Sequence, residues 1–327
     1  MDSSRTKRLF SRNGQVISLA VVLVVLTALF SIFSDSFFTG PNLINVLRQV
    51  SFVGIAAIGA TMVLLIGGID LSIGSVAALA GVTGASLMVG TSIPPFLCIL
   101  IGVAVGALCG GVNGLVVTRF KIPALITTLA TVTIFRGIAY TTVHGMPVFG
   151  LPQGRFLGFK EGVMALGKGY VWFIPVPVIL MAITFVFGWL FLYRTYVGRY
   201  VYALGGNEEA ARLSGIKTDR IQMIVYTLAG TLAGLTGMIM MARVNSGQPS
   251  IATGFELEVI TAVVLGGVSI AGGRGNLLGV LLGVLITGVL NNGLIILNVS
   301  EYNQMVIRGL VLLFAVGLDR LRERVSA

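Results

Sequence analysis

Three groups of residues stand where they could do chemistry. Asp70 is the one carboxylate in a nearly charge-free neighbourhood of more than thirty residues. A charge placed among apolar residues is costly unless it is used. Two uses fit: binding an ion or substrate, or capping the helix after the GGID break with Ser72 nearby, and the break favours the cap. A second group, Asn245, Gln248, Glu256 and Glu258 with Arg243, gathers around one turn expected near an outer end, with Asn291, Asn292 and Asn298 on the penultimate apolar segment. Arg136 and Arg308 are embedded toward the same side and need a partner or an aqueous cavity. Arg308 with Glu301, or Arg136 with Glu256 or Glu258, are the available pairs.

The third group is Tyr193 to Arg220, the longest polar run between long apolar segments. Gly205 and Gly206 stop what precedes them and Asn207 is a good N-cap. Glu208 and Glu209 then occupy a first turn, where the helix dipole favours negative charge, with Arg212 later. Ala210, Ala211 and Leu213 keep this helix small and partly apolar, and Gly215 ends it. Such a helix suits docking into a groove on another protein.

None of these groups is an enzyme's active site. There is no Ser/His/Asp set, no paired acid and base, and no metal cluster. Cys98 and Cys109 are eleven positions apart, about 16 Å along a helix, so they cannot bridge, and His144 is the only histidine. The Gly-rich stretches LIGGIDLSIGS and LGGVSIAGGRGN lack the P-loop spacing and its lysine, so the chain is expected to bind neither ATP nor any cofactor.

The elements that must position these residues are membrane helices. Of 327 residues 56% are hydrophobic and 10% charged, and the mean hydropathy is +0.98, far from the quarter charged that is usual in soluble domains. Apolar segments run at about 16–33, 49–66, 73–90, 95–117, 123–143, 171–192, 221–243, 257–270, 276–297 and 303–318, the eighth short for a full span. Ten crossings starting inside place fifteen of the 22 basic residues in cytoplasmic loops and tails. The reading is therefore one all-α transmembrane domain over 1–327 with both termini cytoplasmic: 1–15 a cytoplasmic tail, 193–220 a cytoplasmic segment, 144–170 an extracytoplasmic loop. The basic residues form no stripe, so nucleic acid is not expected as a partner. Gly102, Gly106, Gly110 and Gly114, and the pairs Gly230–Gly234 and Gly279–Gly283, recur at i+4 as close-packing faces.

GRYVYALGGNEEAARLSGI closely resembles the coupling segment of the ribose/galactose/xylose-type ABC transporter permeases. LIGGIDLSIGSVAALAG at 65–81, ELEVITAVVLGGVSIAGGRGNLLG at 256–279 and LNNGLIILNVSEYNQMVIRG at 290–309 extend the resemblance over most of the chain, in the family's order. It implies a multi-pass protein of the bacterial plasma (inner) membrane, in which two permease copies surrounded by lipid form the path of a monosaccharide. It also implies a cytoplasmic ATP-binding subunit, a fused double ATPase, and an extracytoplasmic sugar-binding protein. The coupling residues are then Gly205 to Arg212 with Ser214, Gly215 and Ile216. Ribose is the first substrate indicated, with allose, xylose, galactose, fructose and autoinducer-type sugars open. The rivals are a gradient-driven secondary sugar transporter using Asp70 and, remotely, a membrane-embedded enzyme.

Overall fold

The computed structural model describes residues 3–152, 158 and 162–326. Its helices are α1 (Ser3–Phe33), α2 (Gly40–Leu65), α3 (Ile73–Gly90), α4 (Pro95–Arg119), α5 (Ala124–Thr142), α6 (Ala165–Lys168), α7 (Val176–Arg194), α8 (Tyr196–Gly206), α9 (Glu208–Leu213), α10 (Thr218–Val244), α11 (Phe255–Leu265), α12 (Leu277–Ile296) and α13 (Glu301–Ser326). Each of the ten apolar segments holds a helix, although 171–175 fall in a short hairpin and 266–270 follow the end of α11 as turn and coil. Eight of those helices, α1 to α5, α7, α10 and α12, are long and apolar enough to cross a bilayer. Prolines in the first turns of α2, α4 and α7 start them without wasting an amide.

α10 is the axis of the bundle, packed by α2, α3 and α4. The glycine stripes are what let α4 come so close. A Cβ on Gly106 or Gly110 would run into the backbone of Gly230, Gly234 or Tyr226 on α10. Gly279 and Gly283 of α12 meet Gly266 and Ala262 around α11 in the same way. With lipid outside as apolar as the helices themselves, this backbone approach and its dispersion contacts are what hold the bundle.

Contacts between connecting segments sort them into two ends. At one end Leu65 meets Gly205 and Gly273, Lys121 pairs with Asp219 at 2.6 Å, and Gln15 donates to the carbonyl of Gly266. At the other, Val148 bridges Gly247, Arg48 donates to the carbonyl of Lys168 and lies over the Tyr170 ring, and Asn42 and Asn292 exchange both amide hydrogen bonds at 2.9 Å. In 144–170 the sequence leaves a docking surface and a plain spacer equally open. Arg155, Lys160 and Glu161 lie outside the described residues. The later part is folded: α6 is seated on the end of α10, where Gly167 abuts the Arg243 backbone, and the hairpin of β1 (Tyr170–Val171) and β2 (Ile174–Pro175) follows.

The turn expected around Asn245 to Glu258 is not confined to the outer end. Asn245, at φ 59°, stops α10 in the left-handed region. Gly247 then packs against Gly81 and Ala85 in the second half of α3, whereas Ala252 and Glu256 lie against Gly74 in its first turn. Between them the chain runs back into the bundle without a helix, and α11 begins only at that depth. With 11 residues, or about 16 Å at 1.5 Å per residue, α11 is a half-helix.

Candidate functional site

At the end that holds Leu65, the polar run folds as its residue types require. Thr195 caps α8 and Asn207 caps α9, its side-chain oxygen accepting from the Ala210 amide at 2.9 Å. Arg212 reaches back to Glu208 at 3.0 Å, an i,i+4 pair. Gly215, at φ 84°, turns the chain out of the helix. Leu213 stands 84% exposed, a large apolar side chain without cover at the end of the helix.

What lies behind this helix is the more informative part. A Cβ on Gly205 would strike the Leu65 carbonyl and the Gly273 amide, and Gly273 donates to that same Leu65 carbonyl at 2.9 Å. Gly272 closes on Gly67 and on the Gly205 carbonyl. Both Gly-rich breaks, the one after α2 and the one after α11, are thus gathered against the end of α8. Bare backbone meets bare backbone on all three sides, with no flexible side chain between them. Gly206 is different: a Cβ there meets open space.

Asp70 sits in the first of these breaks and is buried. Its Oδ1 accepts from the Ser72 amide at 2.8 Å and the Ser72 hydroxyl at 2.6 Å, and Asn113 donates to that hydroxyl at 2.8 Å. Asp70 is therefore not the N-cap of α3. Ser72 occupies that position, and Asp70 forms an Asx-type turn that holds it. The hydroxyl of Tyr226 and Oδ1 of Asn113 are buried nearby with no partner among the described residues.

The second polar group forms two separate arrangements, and none of the three ion pairs offered by the sequence is formed among the described residues. Arg136 grips backbone: Nη1 donates to the carbonyls of Pro249 at 2.7 Å and Ile251 at 2.6 Å, and Nη2 to Ala252 at 3.4 Å. Non-helical backbone inside a membrane protein needs internal partners, and the planar fork of Arg136 supplies them where a single Glu256 contact could not. Arg308 turns from Glu301, in the first turn of α13, to Asn291 Oδ1 at 3.0 Å and Gln304 Oε1 at 3.4 Å. Asn291 in turn donates to Glu258 Oε1. Carboxylate, amide and guanidinium are joined in one chain across α11, α12 and α13. Gln248 and Asn245 stay in the connecting segment, and Asn292 belongs to the outer amide pair with Asn42.

The family described as branched-chain amino acid transport system / permease component matches residues 42–316. The chain belongs to that family. It is a multi-pass permease of the bacterial inner membrane, a transport subunit rather than an enzyme. Relatives include the ribose import permease protein of Bacillus subtilis, 46% identical over 92% of this chain and 91% of the relative. That of Escherichia coli K12 is 44% identical over 93% of each chain. The L-arabinose transport system permease protein of Escherichia coli K12 is 40% identical over 96% of this chain and 93% of the relative. No solved structure matches.

Sequence reading missed Asn113, Tyr226 and Gln304, and did not see Arg136 as a backbone clamp. Arg136 carried a signal, since an embedded arginine must be paired. Its partners are carbonyls, which every residue carries, so no residue type marks them.

Proposed function

We propose that this permease imports a monosaccharide, ribose first among candidates, at the expense of ATP hydrolysed by a separate cytoplasmic subunit. Two copies form the pathway, ten helices each cross the bilayer or complete a crossing, and both termini and 193–220 face the cytoplasm. A sugar-binding protein delivers substrate at the opposite end.

The observation that carries the reading is the seating of Gly205. The exposed helix α9 offers a partner Leu213 and an acidic first turn, and α8 behind it rests on the backbone of both helix breaks. Movement of a docked ATPase therefore reaches α2, α3, α11 and α12 without passing through soft contacts. The ten-crossing reading assigns fifteen of the 22 basic residues to the loops and tails on the side of 193–220, which supports a cytoplasmic placement of that side. Similarity to ribose and L-arabinose permeases supports a pentose.

A gradient-driven carrier would need Asp70 free to bind and release an ion. Its carboxylate is instead engaged with the amide and hydroxyl of Ser72, which supports the ATP-driven reading. Uptake of labelled ribose into vesicles holding the full complex tests it. Uptake should require ATP and the sugar-binding protein and survive an uncoupler. Uptake without ATP that collapses with the uncoupler would refute it.

A further inference from the structure

The chain of polar groups on α11, α12 and α13 opens on a cavity of about 400 Å³, inside the range of about 300–1,000 Å³ usual for small-molecule sites. Its walls include Glu258, Asn291 and Arg308 on one side and Phe255 with Leu290 on another. The re-entrant residues from Ala252 to Gly254 close one end. Its depth is also informative. Arg308 is seven residues into α13, about 10 Å, and Asn291 is five residues from the outer end of α12, about 7 Å, at 1.5 Å per residue. The cavity lies toward the outer end of the bundle, at the start of the half-helix α11, an arrangement that discontinuous membrane helices use at solute sites.

We propose that this cavity is a subsite for the hydroxyl groups of the transported sugar, a deepening of the import reading above on which it rests. Three features select that chemistry. A carboxylate beside the opening disfavours an anion, and a guanidinium disfavours a cation, so the pair suits a ligand without net charge. Each sugar hydroxyl both donates and accepts, and here an acceptor and a donor stand on either side of one amide, already fixed by their bonds to Asn291 and Gln304. The apolar wall at Phe255 and Leu290 can take the C–H face of a sugar ring. The site is also tied to the drive: Ala252, at its edge, is held by Arg136, and the far end of α11 leads into the break that meets Gly205. Moving α11 relative to α12 and α13 separates Glu258 from Asn291 and Arg308, which would release the ligand as the coupling segment moves.

Two substitutions test this without emptying the core. Glu258→Gln keeps the size and the contact to Asn291 but removes the charge. Gly309→Phe puts a ring into the cavity from α13, where a Cβ meets nothing within 4 Å. Leu313→Phe, on the 71% exposed surface of the same helix outside the cavity, is the control. The complete complex is reconstituted in proteoliposomes, and labelled ribose moved per ATP hydrolysed is measured at sub-saturating sugar. Both cavity variants should lose about tenfold, the scale of one charge-assisted hydrogen bond, and Leu313→Phe should match the unsubstituted protein. Either cavity variant at the unsubstituted ratio overturns the proposal and leaves a lipid-filled groove. An unsubstituted complex that moves none of ribose, L-arabinose, allose, xylose, galactose and fructose sinks the sugar reading, and this subsite with it.

Discussion

The amide of Gly273 donates to the carbonyl of Leu65 at 2.9 Å, joining the chain after α11 to the end of α2 across the face on which Gly205 is seated. Two neighbouring glycines thereby acquire opposite duties. Gly205→Ala must displace the Leu65 carbonyl, and overpacking of this kind costs about 1–3 kcal/mol. A lower melting temperature of the purified permease is expected, together with slower transport. Gly206→Leu and Ala210→Leu point into space that only a partner fills. They should leave the stability within about 0.5 kcal/mol of the unsubstituted protein and weaken stimulation of ATP hydrolysis by the loaded binding protein. Normal stimulation in both would show that α9 is only a surface turn.

Asp70 separates a structural from an ion-coupling carboxylate. Asp70→Asn retains an oxygen to accept from the Ser72 amide and hydroxyl, whereas Asp70→Ala leaves a buried donor without its partner, a loss of about 1–3 kcal/mol. Asn should therefore keep most ribose uptake, and Ala should first reduce membrane abundance. An abundant Asp70→Asn protein that transports nothing would count against the turn-holding role.

Sidedness is open to direct labelling. Trp172, 92% exposed at the tip of the β1–β2 hairpin, belongs to the end opposite Glu208. A membrane-impermeant maleimide applied to intact cells should modify Trp172→Cys and reach Glu208→Cys only after lysis. Modification of Glu208→Cys in intact cells would invert the topology.

Local chemistry made much of this fold readable. Helix extents follow from apolar runs, α9 from Asn207 and Gly215, and the close-packing faces of α4 and α10 from glycines at i+4, because each signal sits within a turn or two of what it specifies. The re-entrant segment has no such signal. Gly247, Gln248, Pro249 and Ser250 read as a surface turn, and they are drawn inward by Arg136, more than one hundred residues earlier in the chain. The same holds for Gly205, whose partner Leu65 is an ordinary leucine contributing only its carbonyl. The shortness of the eighth apolar segment was the trace of this arrangement in the sequence, since a half-helix leaves the remainder of the crossing to non-helical, turning chain.

Arg136 carries the last prediction. Its two terminal nitrogens hold the carbonyls of Pro249, Ile251 and Ala252, and that stretch includes Ala252 at φ 58°, a left-handed conformation an alanine keeps only under constraint. Arg136→Met leaves these carbonyls without a donor, at about 1–3 kcal/mol for each that water cannot reach. Arg136→Lys keeps the charge but not the planar fork, so it should hold one carbonyl and release the others. Once released, residues 249–253 can withdraw toward the outer end and take the edge of the cavity with them. A cysteine at Thr253 reports this through its rate of reaction with a soluble maleimide in the purified complex. The rate should rise from the unsubstituted protein to Arg136→Lys and again to Arg136→Met, with ribose uptake falling in the same order. Equal labelling rates in all three would mean that the segment is held by its neighbours and that the guanidinium is not its clamp.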